Sequence, residues 1–205
     1  MAPTCSVEAH ALLTEHGETL IAVATASLEE GLRSDRPLDV DPAAYPPKLD
    51  DHHATFVTLK RAGNLRGCVG SARAWRSLLA DVADNAYRAG FRDSRFKPLR
   101  PQEFPGLDLS ISLLSAPEPF PVASEEELIE RLRPGTDGLV LKDGRRTALF
   151  LPAVWEDVSE PSVFLAHLKR KAGLAPDHWS ETIAFSRFTS ASVSGKTGPL
   201  KGSNR

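Results

Sequence analysis

Two short β-rich runs joined by a turn set the first limit on this fold. Thr55-Phe-Val-Thr-Leu-Lys60 is β-branched and aromatic, Ala62-Gly63-Asn64 supplies a turn, and Leu65 to Ser71 returns. Such a pair predicts an antiparallel hairpin. The pattern recurs at Gly138 to Lys142, the turn Asp143-Gly144, and Arg145 to Leu151. Leu107, Leu109, Ile111 and Leu113 alternate with Asp108, Ser110 and Ser112, which reads as a half-buried strand. Thr182 to Phe188 reads as a closing strand.

Helices fall between these strands. Residues 7 to 33 carry Leu13, Leu20, Ile21, Ala24, Leu28 and Leu32 at helical spacing, a core-facing stripe. Residues 34 to 50 hold Pro37, Pro42, Pro46 and Pro47 without periodicity and read as a loop. A helix over 77–91 puts Leu78, Val82, Ala86 and Ala89 on one face. Ser124-Glu-Glu-Glu127 is a capping box for a helix to about Arg133. Ser159 and Pro161 start a last helix bearing Val163, Phe164, Leu168 and Ala172, and Gly173 ends it. Hairpins interleaved with helices predict an α+β protein with a mainly antiparallel sheet and flanking helices. The βαβα alternation of a doubly wound fold is absent. From Ser194 the chain is dominated by Gly, Lys, Ser and Pro, so disorder is expected over 194–205, after one domain over 1–193.

The function classes narrow on charge and cysteine content. A net charge of −2 gives no global field toward nucleic acid or anionic membrane. The most apolar short run, Leu20 to Ala24, is far too short to span a bilayer. The N-terminal residues lack the basic and apolar regions of a signal peptide. The two cysteines, Cys5 and Cys68, cannot build a disulfide framework, which fits a reducing compartment. These features predict a cytoplasmic protein.

Chemistry concentrates in Asn64-Leu-Arg-Gly-Cys-Val-Gly-Ser71. Gly67 and Gly70 flank Cys68 and allow a backbone or ligand to approach the sulfur. On a strand, Arg66 and Cys68 share a face, and a nearby guanidinium favours the thiolate over the thiol. The competing reading is a cysteine that fills space in the core. One histidine of the His52/His53 pair, His53 being the candidate, would face Cys68 across the hairpin as a dyad partner. Asp50-Asp51-His52-His53 cannot converge on one ion, because neighbours on an extended chain point to opposite sides. With no Cys-x-x-Cys or His-x-x-x-His pattern, neither a metal nor a cofactor is expected. Gly195-Lys-Thr197 lacks the earlier glycine of a phosphate-binding loop and any helix after it. Arg66, Arg73, Arg76, Arg92 and Arg95 suggest an anion site near Cys68, or else a solvated basic face. Asp93 and Arg95 equally suit a mutual pair that closes a loop.

Several motifs together resemble the AMMECR domain, whose bacterial and archaeal members are called AmmeMemoRadiSam system protein A. They are Leu65-Arg-Gly-Cys-Val-Gly70, Asn85-Ala86, Phe91-Arg-Asp-Ser-Arg-Phe-Lys-Pro-Leu99, Leu109 to Ser115, Pro134-Gly135 with Gly138-Leu139, Phe150-Leu-Pro152, and Phe164-Leu165 with Lys171-Ala-Gly-Leu174. The resemblance spans residues 10 to 190. It implies a larger and a smaller lobe around a cleft near the Arg-Gly-Cys strand. It also implies a Memo-like protein and a radical SAM protein as partners. Carried over by motif, the residues to watch are Arg66, Gly67, Cys68, Gly70, Asp93, Arg95 and Phe96. The chain has Ala153 where members often have Gln, and Lys169 or Arg170 where they often have a cysteine. A two-cysteine mechanism therefore has no second cysteine here. The leading expectation is a cysteine-dependent enzyme or enzyme subunit acting on a small molecule or protein. In it Cys68 is the nucleophile, Arg66 lowers its pKa or holds an anion, and Asp93 orients Arg95 or transfers a proton. The contact residues are then Gly67, Gly70, Arg95, Phe96 and His53. The rival is a non-catalytic ligand- or protein-binding module in which Cys68 is structural.

Overall fold

The computed structural model describes residues 4–200, with side chains from residue 7. The expectation for the Cys5 thiol lies outside the described side chains. Among the described residues no helix is long and apolar enough to cross a membrane. The chain is α+β, but with two four-stranded sheets rather than one. Its residues divide into two compact units, one running up to Leu114 and resumed from Ala191, the other Ser115–Ser190.

The first unit opens with α1, Thr4–Ser34. The proline-rich stretch holds two short 3₁₀ turns, Pro42–Ala44 and Pro47–Asp50, the second of which buries Leu49. Strands β1 (Ala54–Arg61) and β2 (Asn64–Gly70) form the expected hairpin, followed by α2 (Leu78–Phe91) and β3 (Asp108–Leu114). The sheet order is β2-β1-β3-β8, with β8 at Ser190–Lys196. Period-two alternation puts Val57, Leu59, Leu109, Ile111 and Leu113 on one face. They share one buried cluster with Leu20, Ala24 and Leu28 of α1 and Leu78, Val82 and Ala86 of α2.

A buried carboxylate pins the hairpin to α2. Asp81 is fully buried. Its Oδ2 accepts from Thr55 N (3.0 Å), Thr55 Oγ1 (2.6 Å) and Asn85 Nδ2 (3.0 Å), and its Oδ1 from Ser71 Oγ (3.0 Å) and Arg76 Nε (2.8 Å). Five donors on two oxygens offset the cost of taking the carboxylate out of water. The network holds the start of β1 and the exit of β2 in register with α2.

The second unit comprises β4 (Glu118–Pro119), α3 (Glu125–Arg131), the hairpin β5 (Gly138–Asp143) and β6 (Arg146–Phe150), α4 (Pro161–Lys171) and β7 (Ile183–Phe188). Its sheet order is β4-β7-β5-β6, antiparallel throughout. Leu139, Leu141 and Phe185 pack with Phe164, Leu165 and Leu168 of α4. Trp155 stacks on Phe164 at 3.8 Å and donates through Nε1 to Asp137 O at 2.7 Å.

The expectation of disorder from Ser194 is corrected up to residue 200. Residues 194–196 continue β8, and Thr197 is buried. Thr197 N donates to Leu107 O (3.0 Å), and its Oγ1 accepts from Leu107 N (3.0 Å) and donates to Phe104 O. Leu200 packs against the core. Backbone pairing needs no apolar side chains, and Gly195 suits this strand because a Cβ there would sit 2.8 Å from Ile21. Residues 201–205 lie outside the described residues.

Candidate functional site

The β1–β2 register breaks at one residue, and the break shapes the site. Thr58 faces Cys68 and Leu59 faces Gly67, but Lys60 faces Leu65. Arg66 is therefore the extra residue of a β-bulge, a device that re-aims a side chain. Its guanidinium goes to Glu103, with Nε–Oε1 at 2.9 Å and Nη2–Oε2 at 3.3 Å, and Nη2 also donates to Lys97 O at 2.9 Å. Nη1 is buried without a partner. Arg66 thus spends its charge on a carboxylate that the sequence reading did not single out. This pairing holds the Glu103 carboxyl down to about 2, helped by the Arg100 N–H and the Arg66 and Arg100 charges, against burial.

Strand β2 is the edge of its sheet. An edge strand leaves alternate N–H and C=O groups unpaired, a liability that proteins cover. Here the loop after α2 covers it at Cys68. Cys68 N donates to Asp93 Oδ2 at 2.9 Å, and Arg95 Nη2 donates to Cys68 O at 3.3 Å. Arg95 forks onto the same carboxylate, with Nε–Oδ1 at 2.9 Å and Nη2–Oδ2 at 2.7 Å. The fork holds the Asp93 carboxyl down to about 2, with the Cys68 N–H contributing and burial opposing. The Asp93/Arg95 pair is the mutual pair that the sequence offered as one reading, and it clamps the backbone of Cys68.

With its own N–H and C=O turned outward, Cys68 forms a non-hydrogen-bonded pair with Thr58, the kind in which side chains lie closest. Thr58 Oγ1 donates to Cys68 Sγ at 3.3 Å. Cys68 is only partly buried. The cross-strand neighbour of Thr58 on β3 is Ser110, and the adjacent row holds Ser112 and Ser192, whose hydroxyls lie 2.8 Å apart. The sheet face that carries the thiol is thus rich in hydroxyls. Phe96 is half-buried between two guanidinium groups, Arg66 at 5.9 Å and Arg95 at 5.5 Å from its ring centre.

Gly67 and His53 lie away from the thiol's face, while Gly70, two residues on from Cys68, packs against β1. Gly67 is buried on the opposite face, where a Cβ would lie 2.0 Å from the Ala89 carbonyl oxygen of α2. Its glycine serves close helix–strand packing rather than ligand approach. A Cβ at Gly70 would meet the Phe56 ring at 2.2 Å and Thr55 O at 2.4 Å, so it too answers to packing. His53 precedes β1 and lines a hollow with Glu8, Leu12, Glu15, Lys48 and Asp51. It lies five residues before Thr58, roughly 16 Å along an extended strand. The Cys/His dyad is not formed. Burial lowers the His53 pKa, and Asp51 and Glu8 oppose that shift. Among the described residues no three His, Cys, Asp or Glu side chains converge as metal ligands.

Sequence reasoning missed Glu103 and Thr58. Neither was recoverable: a two-residue turn at Ala62-Gly63 with regular pairing puts Val57 opposite Cys68, and only the bulge brings Thr58 there, while the pairing of Glu103 depends on how the 92–103 loop folds back.

The AMMECR1 family model matches residues 21–193. A protein from Methanothermobacter thermautotrophicus is 35% identical over 167 residues, covering 81% of this chain and 86% of that one. One from Thermococcus gammatolerans is 35% identical over 175 residues, covering 80% and 82%. The crystal structure of the uncharacterised protein PH0010 from Pyrococcus horikoshii superposes with a TM-score of 0.82 at 31% identity, covering 90% of this chain and 95% of that one.

Proposed function

The chain belongs to the AMMECR1 family, and from that premise we propose that it is a cysteine-dependent enzyme or enzyme subunit with Cys68 as its nucleophile. The observation that carries this reading is the partly exposed thiol on a strand whose backbone is gripped on both sides by Asp93 and Arg95. A clamp of this kind fixes where the sulfur sits, which is what covalent group transfer requires of a nucleophile. Thr58 donates a hydrogen bond to the sulfur, and Arg66 is a positioning residue that anchors the clamp loop through Glu103 and Lys97. The substrate is a small molecule or a protein. In the AmmeMemoRadiSam setting that the family resemblance supplies, a Memo-like protein and a radical SAM protein are the partners, and any metal or redox step is theirs. Soluble protein in the cytoplasm is the expected context.

The test is an adduct search. Tagged Cys5→Ser protein is incubated with extract containing the cognate Memo-like and radical SAM proteins, then digested with trypsin. The reading predicts a mass gain on the peptide Gly67–Arg73 that Cys68→Ala lacks, and capture of at least one partner. No adduct and no capture would sink it. The rival reading, a binding module with a structural Cys68, has one observation in its favour. The Asp93/Arg95 pair satisfies an edge strand and is useful without any chemistry. Partner capture that survives Cys68→Ala with no adduct would select it.

A further inference from the structure

Charge is distributed unevenly in this chain. Residues 60–66 and 92–103 hold seven cations (Lys60, Arg61, Arg66, Arg92, Arg95, Lys97, Arg100) and two carboxylates (Asp93, Glu103), in a protein with 25 cationic and 27 acidic residues. The two segments are stitched into one surface. Glu103 is approached by Arg66 at 2.9 Å, Arg100 at 3.5 Å and Arg61 at 3.9 Å, and Lys97 O accepts from Arg66. One carboxylate cannot neutralise three guanidinium groups, and Arg61, Arg95 and Arg100 keep 54%, 55% and 74% of their side chains in solvent. The other acids at the margin are Asp35, paired with Arg92 at 2.8 Å, and Asp108, opposite Lys60 and paired with Lys196 at 3.2 Å. They leave the centre uncompensated. The surface borders Cys68 directly, because Arg95 belongs to both.

We propose that this cationic surface docks an acidic segment of a protein partner and thereby brings that partner to Cys68. The protein class is favoured over nucleic acid on two grounds. A nucleic-acid surface of this size offers aromatic faces for bases, whereas both guanidinium neighbours of Phe96 already crowd its ring. Asp93 and Glu103 stay ionised within the patch. They repel an evenly spaced phosphate backbone, while an acidic peptide places its carboxylates where the arginines are. Complementary charge of this kind sets on-rate and partner choice. The inference rests on the reading above only in supposing that the partner's arrival serves the thiol.

The experiment measures fluorescence anisotropy of a labelled decaglutamate peptide with the full chain. Arg61→Gln/Arg100→Gln removes two exposed charges from the patch. Arg145→Gln/Arg170→Gln, at two exposed arginines of the second unit, removes the same net charge elsewhere. Binding should weaken about tenfold between about 50 and 200 mM salt. It should weaken about tenfold more in the patch variant and hardly change in the control variant. Circular dichroism verifies that both variants are folded. No binding at low salt, or an equal loss in both variants, overturns the proposal. Tighter binding of a single-stranded DNA of ten nucleotides, lost in the patch variant, overturns it in favour of nucleic acid. None of these outcomes depends on Cys68 being reactive, so the docking surface and the nucleophile fail separately.

Discussion

The two hairpins of this protein are built alike and used differently. Both end on an edge strand, β2 in the first sheet and β6 in the second. Both have a carboxylate hub nearby. In β5–β6 the register runs unbroken from Leu139 opposite Phe150 to Asp143 opposite Arg146. Asp143 gathers His178 Nε2 at 2.7 Å, Ser180 Oγ at 3.0 Å and the Thr182 hydroxyl. Aspartate, histidine and serine are all present, yet both hydroxyls donate to the aspartate and neither meets the histidine. The cluster is a brace that ties β5 to the loop before β7. In β1–β2 the Arg66 bulge breaks the register, and the Asp93 hub grips the backbone on either side of a partly exposed thiol. A cluster of catalytic residue types is therefore poor evidence of a site. A bulge that redirects one side chain, beside a partly exposed thiol whose backbone is fixed, is better evidence.

Glycine substitution breaks the comparison most severely. Gly67→Ala drives a Cβ into the Ala89 carbonyl and should cost about 3 kcal/mol or more, because backbone cannot step aside. Gly144→Ala in the second hairpin meets open space and carries only the penalty of a φ of 57°, about 1 kcal/mol. Urea midpoints of the two variants check the ratio. Equal losses would mean that β2 is not held against α2 as described.

Removing the hubs comes next. Asp93→Ala leaves the Cys68 N–H unpaired and the Arg95 fork empty, and should cost about 1–3 kcal/mol while changing the alkylation rate of Cys68. Asp143→Ala should cost about 1–2 kcal/mol and leave that rate unchanged. A change in rate in both variants would erase the distinction between clamp and brace.

Acid should unfasten the clamp. Asp93 and Glu103 have folded pKa values of about 2, below their ordinary 3.8 and 4.5. A depressed carboxylate stabilises the fold above its unfolded pKa, and that stability is lost as pH falls through the folded one. The contribution, on the order of 1–2 kcal/mol for each, should be intact above about pH 5 and fade toward pH 2. Thermal melts at stepped pH should show it, and Asp93→Asn with Glu103→Gln should flatten that part of the profile. A parallel profile in the double variant would contradict the pairing.

The smallest effect lies at the first turn. Ala62 has a φ of 49°, followed by Gly63 at 80°. A non-glycine residue there is strained, and asparagine tolerates it better. Ala62→Asn should raise stability by about 0.5 kcal/mol, read as a small rise in melting temperature.

Much of this was legible in the residues. Both hairpins follow from local composition, because a β-rich run, a turn and a second run carry their own instruction. The helix over 77–91 follows from its apolar spacing and the Ser77 cap, whose Oγ accepts from Ala80 N. What escaped was long-range. Ser194 to Lys196 lacks apolar residues, and its strand comes from pairing in the first sheet, which no local pattern announces. The bulge at Arg66 moved its charge from the thiol to Glu103, thirty-seven residues away. Strand spacing alone assigns that guanidinium to Cys68, and it cannot register one inserted residue.

Native-state alkylation of Cys68 bears most directly on the central claim. The Cys5→Ser protein is treated with iodoacetamide at neutral pH, folded and in urea, and labelling is followed on the peptide Gly67–Arg73. The account predicts steady labelling of the folded protein and a shifted rate in Asp93→Ala. Labelling that occurs only in urea, at the same rate with and without Asp93, would make Cys68 a packed structural thiol and contradict the account.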